Sequence, residues 1–404
     1  MVIILILNSY YRFHTKVFFV TKIIFTLLFL SLQVFGLTIT DMRQKSVKIP
    51  DNLSRIATID DGFIEGVLTH LGEVQKVTSI ASWSMKRDYK YTILTKSGES
   101  STYRGLNTMK ALHPWLNDLP CFNSKQGNVL NYETLIKSNP QLIILRVGDC
   151  TVSGANKDSL NKTLKTLESF NIPLVVLFSP TYYKNNLDSM EDEIRILGEI
   201  FGKKEQALAL YHYLDSIEKM IIERTKKIRE KEKVSVLYLG LNPVARKEGG
   251  SGIVVGTNTP ESYIIEEIAN AKNAYRGLGS RVVLSGEQIY ALNPDVILLP
   301  THNGYHPTLE LYESSYYTDL QGLNAVKNKR VYSLPWTPMN CSRRLEYPLD
   351  LLIMAKASYP HLFEDIKVHD FALDFYQKIY PINRQKAESL FKEQLLDWTL
   401  KEDF

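Results

Sequence analysis

The chain has 404 residues, 44% hydrophobic and 23% charged, which suffices for two ordinary domains with packed cores and excludes a disordered chain. Most of its formal charge of +4 sits in the first 36 residues, where Arg12, Lys16 and Lys22 stand without an acid. The nearly neutral remainder gives no electrostatic reason to expect nucleic acid as a partner.

In chain order, Lys16 and Lys22 flank and precede an apolar run, Ile23 to Leu32, and Val34-Phe35-Gly36 follows with small residues at cleavage spacing. This pattern predicts a signal peptide over residues 1–36 and a periplasmic location. The apolar stretch counted from Val17 nearly reaches spanning length, so a retained anchor is the competing reading. No Cys follows the run, so a lipoprotein anchor has no acceptor. Ser46–Ile49 alternates like an edge strand before Pro50. Arg55–Ile59 reads as a strand, Asp60-Asp61-Gly62 as a turn, Phe63–Leu71 as a helix closed by Gly72, and Val77–Ala81 as a second strand, together a parallel βαβ unit. Ser82–Asn117 is irregular and reads as an elaborated connection. Two helices, Asn131–Lys137 and Leu160–Phe170, lead to the buried strands Gln141–Val147 and Pro173–Phe178. Strands apolar on both faces suit a parallel sheet covered by helices.

Leu187 to Lys231 is a helical tract interrupted at Gly202, with a second helix of about thirty residues that would rise roughly 40 Å. The α/β rhythm then restarts. Strands are expected at Val234–Leu239, Ser251–Val255, Asp295–Leu299 and Arg330–Leu334. Helices are expected at Glu261–Ala269, Gly286–Leu292, Pro348–Ala357 and Val368–Tyr380, with one more at the C-terminus. A motif repeats between the halves: Glu133 precedes Asn139-Pro140 and an apolar strand, as Glu287 precedes Asn293-Pro294 and another. The glutamate favours the positive helix end and Asn-Pro stops the helix. The fold class expected is α/β: two lobes with parallel-rich sheets, 37–186 and 232–404, joined through a helical linker, 187–231, by a single long rigid helix, with a ligand cleft between the lobes.

Four segments in order, Thr40–Pro50, Glu287–Ile297, Leu323–Tyr332 and Tyr359–Phe363, carry a resemblance to the periplasmic binding proteins that serve iron–siderophore, haem and cobalamin ABC importers. The resemblance implies two lobes on one rigid helix, a monomer, no enzymatic activity and no intrinsic cofactor, the metal travelling inside the bound chelate. It also implies docking to an ABC permease through one exposed glutamate per lobe, here Glu133 and Glu287. The competing account makes both ordinary helix-start acids.

Ligands of open α/β sheets bind beyond the carboxyl ends of the strands. The residues delivered there and expected to line the site are Asp60, Trp83, Asp149, Tyr182, Tyr183, Arg246, His302, His306, Trp336, Arg343 and Arg344. Arginine grips carboxylates bidentately, so Arg343 or Arg344 suits an anionic chelate, against a salt bridge to a neighbouring acid such as Glu346. Trp83, Tyr182, Tyr183 and Trp336 would supply flat walls, or core. His302 and His306 are candidate metal ligands, although Asn303-Gly304 favours a turn and two exposed loop histidines are the equal alternative. Cys121 and Cys150 are expected to form a disulfide, metal ligation being the alternative. Cys341 is left as a free thiol or a neighbour of the ligand.

No nucleophile elbow, HExxH, P-loop or dinucleotide fingerprint occurs. The expected function is the extracytoplasmic capture of an iron(III)–siderophore-type metal chelate for an ABC importer. Nickel or cobalt chelates, cobalamin and haem are the alternative ligands. A membrane-anchored receptor and a cytoplasmic chelatase-like enzyme are the readings from other classes, and the leader argues against the second.

Overall fold

The computed structural model describes residues 36–123, 129–148, 151–183, 186–301, 304–336 and 344–404. The leader expected over 1–36 therefore lies, apart from Gly36, outside the described residues. None of the described helices is long and apolar enough to cross a membrane.

The first strands, β1 (Thr38–Thr40) and β2 (Ser46–Lys48), pair antiparallel. The turn between them ties them to the sheet beyond. Asp41 accepts Val176 N at 3.1 Å, and Arg43 bridges Asp41, Glu168 and the Leu174 carbonyl. β3 (Ile56–Ile59), helix α1 (Phe63–Leu71) and β4 (Val77–Ile80) make the expected βαβ unit. A hairpin follows, β5 (Tyr89–Leu94) against β6 (Ser100–Gly105), in the stretch expected to be an irregular connection. β7 (Leu142–Val147), α2 (Lys157–Glu168) and β8 (Leu174–Phe178) complete a four-stranded sheet of order β4-β3-β7-β8, parallel throughout. Its β3 and β7 side chains are fully buried on both faces, as their apolar composition demands.

Helices α3 (Ser189–Ile200) and α4 (Lys204–Thr225) form the connection, with Gly202 left-handed between them. α4 has 22 residues, about 33 Å at 1.5 Å per residue, shorter than the helix of about thirty expected from sequence. The charged run after Thr225 does not continue it. The Asn270 amide takes the Thr225 and Ile228 carbonyls and closes the helix.

The second sheet contains β9 (Ser235–Gly240), β10 (Gly252–Val254), β11 (Lys272–Asn273), β12 (Val282–Leu284), β13 (Val296–Leu299) and β14 (Val331–Ser333). β9, β11, β13 and β14 run parallel, while β10 and β12 add an antiparallel edge in the order β12-β10-β9-β13-β14. Helix α5 (Thr308–Glu313) follows β13, and α6 (Tyr347–Ser358), α7 (Val368–Ile379) and α8 (Arg384–Glu393) end the chain with a last turn at Trp398–Lys401.

These C-terminal helices also pack on the first half. His70 Nδ1 lies 2.9 Å from the Ile379 carbonyl, Lys386 Nζ donates to the Ala111 carbonyl at 2.6 Å, and Gln394 reaches Thr108. One hydrophobic cluster accordingly runs from α1 through α4 to α6 and α7, with a smaller satellite core in each half. Thr38–Phe404 is thus one compact unit, in which two sheets share a central helical layer.

Candidate functional site

Beyond β3 the chain turns sharply at Asp60-Asp61-Gly62. Gly62 has φ 117°, a left-handed angle that lets α1 begin at once and sends the two adjacent carboxylates opposite ways. Asp60 turns inward. It accepts the Gly62 and Ile64 amides at 3.0 and 2.8 Å and lies 3.8 Å from Arg146, which also grips Glu193 through Nε at 2.5 Å. The expected ligand role of Asp60 is therefore corrected: this fully buried side chain caps a helix.

Asp61 turns toward the second half. Its carbonyl and Oδ2 accept Nε and Nη2 of Arg344 at 2.7 and 2.8 Å, and its Oδ1 accepts the Ser82 hydroxyl at 2.6 Å and that of Ser84. Asn107 donates to Ser84 in turn. Burial raises the Asp61 pKa above the usual carboxylate range, opposed by Arg344 and the two serine hydroxyls. Beneath them Glu65 is fully buried, accepting Thr58 Oγ1 at 2.5 Å. Burial first, then Asp60, pushes its pKa up to about 8. Arg344 is 4% exposed, and its Nη1 has no hydrogen-bond partner.

The β5–β6 hairpin forms the wall between the two sheets. Alternation puts Tyr89, Tyr91 and Ile93 on one face of β5, with Gly105, Tyr103 and Ser101 opposite them on β6. Tyr89 packs at 5.2 Å, with its ring tilted by 60°, against Trp336, which follows β14, and lies 6.4 Å from Trp83, which follows β4. Gly105 passes so close to Trp336 that a Cβ there would sit 2.7 Å from the indole. Tyr103 meets Tyr305 at 5.1 Å. Tyr91 donates to Glu310 on α5 at 2.7 Å, and the hairpin turn donates Lys96 N to the Glu313 carbonyl at 2.7 Å.

Glu310 collects a second cluster. Arg246 pairs with it, His306 Nδ1 lies 2.8 Å from its Oε2, and Arg246 also donates to Tyr317 Oη at 2.9 Å and the Leu241 carbonyl at 3.1 Å. Arg246 and His306, both expected at the ligand, thus converge on Glu310 instead, and His306 is fully buried. Among the described residues no group of three or more His, Cys, Asp or Glu is placed to hold a metal ion.

Of the sequence candidates, Trp83, Trp336 and Arg344 come together, joined by Asp61, which follows the same strand end as Asp60, and by Tyr89, which the sequence pattern does not single out. Tyr182 packs on Phe178 at 4.8 Å beyond β8, 36% exposed, at the far end of the same strand tips, with Tyr183 beside it. Asp149, His302 and Arg343 lie outside the described residues. Cys121 is a free thiol that donates to the Asn123 carbonyl at 3.0 Å, and Cys150, its expected disulfide partner, lies outside the described residues. Glu133 and Glu287 are exposed in the first turns of equivalent helices, Tyr132–Lys137 and Gly286–Leu292, which Asn131 and Ser285 cap. Both helices end on a left-handed asparagine before proline, Asn139 and Asn293.

A family model described as periplasmic binding protein matches residues 63–337. The chain is 22% identical over 366 residues to the molybdate-binding protein MolA of Haemophilus influenzae, covering 85% of this chain and 90% of that one. It is 28% identical over 170 residues to the high-affinity heme uptake system protein IsdE of Staphylococcus aureus, covering 41% of this chain and 54% of that one. Among solved structures, a periplasmic solute binding protein from Veillonella parvula superposes with a TM-score of 0.64 at 24% identity, covering 86% of this chain and 93% of that one.

Proposed function

The chain belongs to the periplasmic binding protein family, and on that premise we propose that it is the substrate-binding component of an ABC importer. In this reading it works outside the cytoplasmic membrane, holds a metal chelate of the iron(III)–siderophore kind, and releases it to a permease that docks on Glu133 and Glu287. It binds its cargo without transforming it. The observation that carries the reading is the meeting of Asp61, Trp83, Tyr89, Trp336 and Arg344 where the strand tips of both sheets converge. A buried arginine between aromatic walls suits an anionic ligand with a flat organic part. Relatives named for molybdate and for heme support a metal-bearing cargo. Native mass spectrometry with elemental analysis of the protein purified from its own host tests this. A stoichiometric metal with an organic chelator is expected; bound nucleotide, or a bound ligand without metal, would refute the reading.

A further inference from the structure

The Asp61 grip on Arg344 is one-sided. The Asp61 carbonyl and carboxylate occupy Nε and Nη2, the edge that would otherwise meet a ligand carboxylate bidentately, and leave Nη1 unpartnered although the side chain is 3% exposed. A buried guanidinium N–H without an acceptor is costly, so its survival needs an explanation. The hydroxyl of Tyr89, held between Trp83 and Trp336, is a second buried polar group without a partner. Ser84, next to Trp83 in the chain, donates to the same Asp61 carboxylate that holds Arg344, so the tyrosine packed on Trp83 and the arginine belong to one cluster. Two unmet donors thus lie in this cluster, one from the hairpin and one from the segment before α6.

We propose that Arg344 Nη1 and the Tyr89 hydroxyl form a two-donor subsite for an anionic oxygen pair, with Asp61 as the positioning residue that turns the free edge of the guanidinium toward it. The proposal rests on the binding-protein reading and deepens it, because it makes the β5–β6 hairpin part of the ligand site. Two sources offer the same chemistry: a carboxylate on a metal chelate, or a free tetrahedral oxyanion. A cationic or neutral cargo would leave both donors unmet. Ser82 and Ser84 fix Asp61 from behind, so the guanidinium is oriented before the ligand arrives, which lowers the ordering cost of binding.

The test is calorimetric titration of the full-length protein and its Tyr89→Phe and Arg344→Lys variants with iron(III) citrate and with sodium molybdate, alongside thermal unfolding without ligand. Because the Tyr89 hydroxyl has no partner in the free protein, Tyr89→Phe should leave the unfolding midpoint unchanged or raise it. It should also weaken the bound anion about tenfold, the worth of one charge-assisted hydrogen bond. Arg344→Lys, whose single ammonium stays with Asp61, should weaken it at least as much. Binding of citrate chelate alone assigns the subsite to a carboxylate, and of molybdate alone to an oxyanion. Unchanged affinity in Tyr89→Phe, or a loss matched by destabilisation of the free protein, would overturn the subsite and leave the binding-protein reading standing. If the wild-type protein bound neither probe, the anionic cargo of that reading would fall with it.

Discussion

Replacing Glu65 by glutamine should make the protein more stable than wild type by an amount that grows with pH. Glu65 lies wholly inside, with Thr58 donating to Oε1 and no partner for Oε2. Its pKa rises from 4.5 to about 8 through burial and the neighbouring Asp60 and Asp61 carboxylates. Below pH 4.5 the group is protonated whether the chain is folded or not, and it contributes no pH dependence. Between 4.5 and 8 the unfolded chain releases the proton and the folded chain keeps it, so stability falls by about 1 kcal/mol per pH unit. The total is on the order of 4 kcal/mol, and the loss levels off above the folded pKa. Glutamine keeps a carbonyl acceptor for Thr58 and has no proton to release. Urea unfolding at pH 5, 6, 7 and 8 should therefore show a difference between variant and wild type that widens by about 1 kcal/mol per unit. Glu193, raised to about 7 by burial against the pull of Arg146, adds a similar slope to both proteins and cancels in the difference. Stability curves for the two proteins that stay parallel across this range would refute the reasoning.

Charge reversal of both Glu133 and Glu287 to lysine should abolish ligand uptake in cells while leaving ligand affinity intact, because both side chains are exposed on helix first turns; a loss of affinity would place them in the ligand site instead. Gly105→Ala puts a methyl group 2.7 Å from the Trp336 ring and forces the indole to move. Overpacking of this kind costs about 1–3 kcal/mol of folding stability, so the urea unfolding midpoint should fall with a shift in tryptophan emission, and unchanged emission would contradict the packing described.

The sheet strands were legible because burial on both faces leaves no alternative to apolar composition. Gln141–Val147 and Asp295–Leu299 were placed within a residue of β7 and β13. The Glu to Asn-Pro repeat was legible because each residue has a local job: a capped first turn, a left-handed exit, a stop. The antiparallel edge was missed at β12, three residues long, whose pairing is fixed by tertiary partners rather than by its own pattern. The end of α4 was overrun because Lys and Glu keep good helix propensity after the apolar stripe has ended at Ile221. The choice between Asp60 and Asp61 was not legible at all. Adjacent acids before a glycine look alike, and only the left-handed turn at Gly62 decides which faces the helix and which faces Arg344.

The hairpin is where sequence and site come closest to each other. Its alternation of Tyr89, Tyr91 and Ile93, the turn at Ser97-Gly98, and the return through Ser101 and Tyr103 are ordinary strand signals, obscured by charged residues on the outer face. That inner face does two things at once. Tyr91 and Lys96 fasten the hairpin to α5, while Tyr89, two residues before Tyr91 on the same face, packs between Trp83 and Trp336 with its hydroxyl unpaired. Successive residues on one side of a strand move together. Freeing Tyr91 from Glu310 is therefore expected to disturb Tyr89 in its place between Trp83 and Trp336 as well, and a Tyr91→Phe variant whose tryptophan emission matches that of the wild type would refute this link.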